Sequence, residues 1–175
     1  CIKQTKEAAA RGADAVLVVA PHYYASAMTT AALRQHYGRV IDASPVPVIL
    51  YNIPKYMHFA LGGDLVAELA QHQNVIGIKD SSGNRELFAT YMPAQSPTFS
   101  VITGNAQMFQ HALAVGARGG ILAGALFTPA LALEIYDAMR RDDRATADAA
   151  QARFTPLGAK IVGELGVPGV KAAMD

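Results

Sequence analysis

The 175-residue sequence has no tryptophan, a single cysteine and only short apolar runs. A membrane span needs about 18–20 consecutive apolar residues. Here 51% of the residues are hydrophobic, yet no run approaches that length. The one cysteine, Cys1, permits no internal disulfide; it fits a reducing compartment, and a cytoplasmic location is expected. An excess of one charge is also missing, since 15 basic and 14 acidic residues leave a net charge of +1. That near-balance argues against nucleic acid or a membrane surface as a partner. His22, His36, His58, His72 and His111 are scattered with no H-E-x-x-H or similar spacing, so all five read as non-catalytic and no metal is expected. No G-x-G-x-x-G follows an apolar run; the segment Gly116-Ala117-Arg118-Gly119-Gly120 precedes one instead. This weakens a dinucleotide-binding reading, and no cofactor is expected.

What is present is an alternation. Residues 15–20, 48–51, 75–79, 99–103 and 119–123 are short apolar runs bounded by turn residues, and they read as buried strands. Between them lie helical patterns. Thr29 is a candidate N-cap for a helix with Leu33, Tyr37, Val40 and Ile41 on one face. Asp64 is expected to cap a helix carrying Leu65, Val66 and Leu69, and Asn84 one carrying Leu87, Phe88 and Tyr91. Thr128-Pro129 opens a helix with Ala132, Ile135, Tyr136 and Met139 inward. A final helical stretch from Asp143 carries Phe154, Leu157, Ile161 and Leu165, with Pro156 expected to split or kink it. Five strand–helix repeats predict a parallel α/β fold. It is either a doubly wound open sheet or part of a (β/α)8 TIM barrel. A full barrel needs eight strands and typically about 250 residues. The chain begins within a helix and ends without a polar tail, and both ends read as cuts through a longer protein. The expectation is the C-terminal five strands or so of a barrel, residues 1–142, and the start of a C-terminal helical extension, residues 143–175. Alone, such a piece is expected to expose two strand edges, to aggregate and to be inactive.

The stretch Val75-Ile76-Gly77-Ile78-Lys79-Asp80-Ser81-Ser82-Gly83 carries the chemistry. Lys79 ends its strand, where α/β barrels hold their active sites. The plain alternative is a solvated rim lysine. Tyr51 ends the preceding strand one strand–helix unit earlier, and neighbouring strands lie about 4.8 Å apart. Amine and phenol can therefore meet. Only a neutral amine attacks a ketone, and forming an imine needs proton transfers that a positioned phenol can perform. The plain alternative for Tyr51 is a packed aromatic. Glu86 and Asp80 read as solvated or capping residues. Gly119-Gly120 permits either a phosphate or close packing.

Tyr51-Asn52-Ile53-Pro54 followed by Gly77-Ile78-Lys79-Asp80-Ser81-Ser82-Gly83 resembles the dihydrodipicolinate synthase/N-acetylneuraminate lyase family. Pro21-His22-Tyr23-Tyr24 and Gly119-Gly120-Ile121 extend the resemblance over the whole chain. It implies a class I, Schiff-base enzyme acting on 2-oxo acids, with Lys79 forming the imine and Tyr51 relaying protons. Tyr24 matches a tyrosine that reaches into a neighbouring subunit, which implies a homo-oligomer, a dimer of dimers. Gly104 and Ile121 match positions lining the substrate pocket. The resemblance places the family's carboxylate-binding Thr-Thr pair in an N-terminal part ahead of these residues, so it is not assigned here.

Two departures bear on substrate. Tyr56 stands where synthases of the family carry an arginine that grips a second carboxylate, and Leu122-Ala123 replaces Ser-Val. Residues 44–48 and 166–171 look closer to the 4-hydroxy-2-oxoglutarate aldolase branch. The sequence therefore favours retro-aldol cleavage of a 4-hydroxy-2-oxo acid. A 4-hydroxy-tetrahydrodipicolinate synthase, joining pyruvate to aspartate semialdehyde, or a sugar-acid dehydratase are the alternatives. A phosphate-binding barrel enzyme and a non-catalytic ligand-binding homologue stand outside that chemistry.

Overall fold

The computed structural model describes residues 1–175. The chain forms two compact units, Cys1–Val101 and Ile102–Asp175. Five strands make one sheet in the order β1-β2-β3-β4-β5: Val16–Val19, Val48–Asn52, Val75–Asp80, Ser100–Thr103 and Gly119–Gly120. The pairs β1/β2, β2/β3 and β4/β5 are parallel, as the strand–helix alternation predicts.

In the first unit, helices α1 (Ile2–Ala10), α2 (Thr30–Ala43), α3 (Pro54–Met57), α4 (Gly63–Leu69) and α5 (Arg85–Tyr91) alternate with the strands. Thr29 caps α2 by accepting from the Ala32 N–H at 3.2 Å, and Asn84 caps α5 by accepting from Leu87 at 2.8 Å. The expected stripe of α2 is buried: Leu33, Tyr37, Val40 and Ile41. It shares a core with Val48, Leu50, Val66, Ile78 and Phe88. At the cap of α4 the sequence reading fails. Gly62 is the N-cap, and Asp64 lies inside the first turn, where its charge faces the positive end of the helix. β2 ends at Asn52 and Pro54 opens α3, because proline at the first helical position gives up only an N–H that has no partner anyway.

The second unit holds α6 (Phe109–Ala114), α7 (Pro129–Arg140), α8 (Arg144–Leu157) and α9 (Gly166–Met174). Its core joins Phe109, Leu122, Ile135 and Phe154 with the small residues Ala106, Ala132 and Ala150. Strand β5 is only two residues long, and Ala123–Leu126 forms a 3-10 turn rather than strand. Paired glycines hold a strand weakly. A Cβ on Gly120 would lie 3.0 Å from the Thr103 carbonyl oxygen, which favours close packing as the reason for that glycine. Pro156 lies near the end of α8, and the chain continues as a wide π-helical segment, Gly158–Glu164. That change of winding rotates Leu165 outward, leaving it 53% exposed instead of inward.

Gly77 in β3 matters most for the sheet. A Cβ there would collide with the backbone carbonyl oxygen of Ser100 on β4, which no rotamer change can relieve. Gly77→Ala is expected to cost about 1–3 kcal/mol through overpacking. Urea denaturation of the full-length protein checks this; an unchanged midpoint would show that the two strands separate freely.

Candidate active site

Lys79 and Tyr51 are direct partners in the β2/β3 register. Parallel partners project to the same face, so both side chains emerge together at the carboxyl ends of their strands. Lys79 Nζ lies 4.4 Å from the centre of the Tyr51 ring, within cation–π range. Both residues are partly exposed, whereas their neighbours along each strand, Leu50, Asn52, Ile78 and Asp80, are buried.

That second, buried face holds a polar cluster that the sequence reading missed. Asn52 Nδ2 donates to Asp80 Oδ1 at 2.7 Å, and Asn52 Oδ1 accepts from the Leu61 N–H at 3.0 Å. Ser82 donates twice to Asp80, from its N–H to Oδ1 at 3.2 Å and from its hydroxyl to Oδ2 at 2.7 Å. The Asn84 N–H donates to Ser82 Oγ at 3.1 Å, and the Ser81 N–H to the Asn52 carbonyl at 2.8 Å. Tyr91 donates to the Leu61 carbonyl at 2.6 Å. Asp80 is therefore neither solvated nor a simple cap, contrary to the sequence reading. Hydrogen bonding makes its burial tolerable. A signal was available: Asn52 and Asp80 stand one residue beyond Tyr51 and Lys79, so the same offset pairs them.

Burial raises the Asp80 pKa, with the hydrogen bonds from Ser82 and Asn52 opposing the rise. Burial and then the nearby Asp80 charge push the Tyr91 phenol up as well. The Ser81 hydroxyl, two residues after Lys79, is buried without a hydrogen-bond partner.

The other expected residues are placed separately. Tyr24 is 71% exposed, and its ring meets Tyr23 edge-on with centroids 4.9 Å apart. Tyr56, on α3, is 56% exposed, with Lys55 Nζ 5.7 Å from its ring centre. In the second unit, Gly104 follows β4 directly and Ile121 follows β5, and the Ile121 N–H donates to the Thr103 carbonyl at 2.9 Å. These two strand ends are thus neighbours. Among the histidines, His22 Nδ1 lies 3.2 Å from the Ala20 carbonyl, and His72 pairs with Asp42 at 3.3 Å on the surface.

The pH dependence follows from Asp80. Its folded pKa lies above the ordinary 3.8, so between the two values the folded state holds a proton that the unfolded state has released. Asp80 therefore subtracts stability as pH rises through that window and adds no further slope above it. Asp80→Asn removes this slope while keeping an acceptor for Asn52. Thermal midpoints of both proteins from pH 4 to 7 should show the variant gaining on the wild type as pH rises; parallel curves would contradict the assignment.

A profile of the Dihydrodipicolinate synthetase family matches residues 1–175. The 4-hydroxy-tetrahydrodipicolinate synthase of Exiguobacterium sp. is 34% identical over 174 residues, 99% of this chain and 59% of that protein. Dihydrodipicolinate synthase DapA-2 from Bacillus anthracis superposes with a TM-score of 0.92 at 25% identity, over 99% of this chain and 59% of that one. YagE from E. coli K12, a prophage protein of the dihydrodipicolinic acid synthase family solved in complex with pyruvate, superposes with a TM-score of 0.90 at 27% identity, again over 99% and 59%. The chain thus spans about 59% of the length of these relatives. Parallel strands alternating with helices, and this agreement across the whole chain, identify the (β/α)8 barrel type rather than a doubly wound sheet. On the family match over its full length, the chain belongs to the dihydrodipicolinate synthetase family.

Proposed function

We propose that the protein carries out class I, Schiff-base chemistry on pyruvate or a related 2-oxo acid, with Lys79 as nucleophile and Tyr51 as proton relay. The observation that carries this reading is the pairing of the two residues, with Nζ 4.4 Å from the phenol ring. The neutral Lys79 amine adds to the C2 carbonyl, the nitrogen gives up a proton and the oxygen takes one up, giving a carbinolamine. A second proton on that oxygen lets water leave, forming the iminium. Tyr51 delivers and recovers these protons. The iminium draws electrons from C3, which loses a proton to give an enamine. The enamine carbon can then add to an aldehyde carbonyl, or the reverse step can cleave that bond.

The direction is read from the relatives and from one departure. The relatives named 4-hydroxy-tetrahydrodipicolinate synthase support condensation better than cleavage, so we put condensation of pyruvate with an aldehyde such as aspartate semialdehyde first. Retro-aldol cleavage of a 4-hydroxy-2-oxo acid, which the sequence favours, stays as the second reading because of Tyr56. Where the family's synthases carry an arginine, Tyr56 offers a carboxylate no bidentate partner. The reading extends to a homo-oligomer in which the exposed Tyr24 reaches a neighbouring protomer, and to Gly104 and Ile121 as pocket-lining positions.

Borohydride reduction of the full-length protein with pyruvate should fix an adduct on the peptide containing Lys79. An adduct on another lysine, or none with any 2-oxo acid, sinks the proposal. Tyr51→Phe, which keeps the ring, should lower turnover by about 10²–10⁴-fold; unchanged turnover would leave Tyr51 a packing residue. Rates with pyruvate plus aspartate semialdehyde, set against release of pyruvate from 4-hydroxy-2-oxoglutarate, decide between condensation and cleavage.

A further inference from the structure

The approach of Lys79 to Tyr51 exists in only one of two available registers. Strands β2 and β3 begin with Val48 opposite Val75, then shift, so that Ile49 faces Gly77 and Tyr51 faces Lys79. Ile76 is the residue left over at this shift, at the entry to the pair. Without the shift, Tyr51 would stand opposite Ile78, and Lys79 opposite Asn52. A slip of one residue turns a side chain to the other face of its strand. The amine would then leave the face that carries the phenol.

At the far end of the pair stands the polar cluster. Asn52 and Asp80 are opposite each other only in the shifted register. Their 2.7 Å hydrogen bond is buried, and Asn52 is tied on its other side to the Leu61 N–H. Asp80 is tied in turn to both the backbone and the hydroxyl of Ser82, in the turn that follows Lys79. A slip would break the bond between Asn52 and Asp80, and the turn that moves Lys79 off the phenol face would take Asp80 off the buried face and carry the Lys79 amine toward the core, where an unpaired charge is costly. The cluster therefore penalises the wrong register from the face opposite to the chemistry.

We infer that Asn52 and Asp80 are positioning residues for the imine reaction. They fix the register and the strand-end conformation that put Lys79 Nζ against Tyr51, and they touch neither the substrate nor the reacting atoms. This inference rests on the imine chemistry proposed above. Its prediction is specific: what Asp80 must supply is one oxygen that accepts from both the Asn52 amide and the Ser82 N–H, which an amide can keep and a methyl cannot.

The test is the rate of borohydride-trapped adduct formation with pyruvate, on full-length wild type, Asp80→Ala, Asp80→Asn and Ser82→Ala. Trapping in the wild type comes first, since its absence defeats the imine reading and not the positioning one. With wild-type trapping in hand, Asp80→Ala should slow adduct formation at saturating pyruvate by about 10–100-fold, the order expected for a small misplacement of a reacting group. The half-saturating pyruvate concentration should change little. Asp80→Asn should restore the rate to near wild type. A folded Asp80→Ala protein that traps at the wild-type rate overturns the inference, and so does an Asn variant as slow as the Ala one. If Asp80→Ala does not fold, Ser82→Ala decides, because it removes one bond to the carboxylate at a partly exposed turn. A slower rate there, at an unchanged half-saturating concentration, supports positioning; a wild-type rate overturns it.

Discussion

At the carboxyl ends of β2 and β3 the pleat sends alternate side chains to opposite faces, and the proposed chemistry depends on that division. One face carries Tyr51 and Lys79, partly exposed and in contact. The other carries Asn52 and Asp80, buried and hydrogen-bonded. Two adjacent positions on each strand thus do opposite work: one pair stays accessible and the next fixes the strands to each other. An amine held this way needs no special loop to position it, because its location is a property of the sheet.

The sheet in turn depends on close approach. Gly77 sits against the Ser100 carbonyl, so β3 tolerates no side chain at that point. The helices α2, α4 and α5 bring Tyr37, Val66 and Phe88 to the buried face, and the aromatic hydroxyls there are not left unpaired. Tyr37 donates to the Val18 carbonyl at 3.4 Å and Tyr91 to the Leu61 carbonyl at 2.6 Å. Leu61 recurs in this network because its N–H goes to Asn52 and its C=O to Tyr91. One backbone unit therefore joins the strand end to α5, satisfying groups whose burial would otherwise be costly.

Much of this was legible in the sequence. The strand cores, the caps at Thr29 and Asn84 and the meeting of Tyr51 with Lys79 follow from apolar runs, turn residues and one shared offset. What escaped was set by tertiary context. Asp80 reads as a surface acid because an isolated aspartate after a strand normally is one; burial is made tolerable by Ser82 two residues along and by Asn52, which comes from the neighbouring strand. The cap of α4 is Gly62, and Asp64 stands two residues further on, in the first turn, where it acts by charge rather than by hydrogen bond. The shortness of β5 follows from glycines chosen for approach to Thr103 and not for strand propensity.

Helix α3 is four residues long, opened by Pro54 and closed by His58 in the left-handed region at φ 63°. Only Met57 is fully buried in it, and its sulfur accepts from the Ile53 N–H at 3.2 Å. Lys55 and Tyr56 project from a frame whose backbone is fixed by proline on one side and a tight turn on the other. Side chains there can be exchanged without touching the strand register that holds the amine. On the chemistry proposed above, the fold separates two inheritable properties, the capacity to form the bond and the choice of what to bond. A lineage can drift in the second while the first stays constant, which is how one barrel can come to serve several substrates.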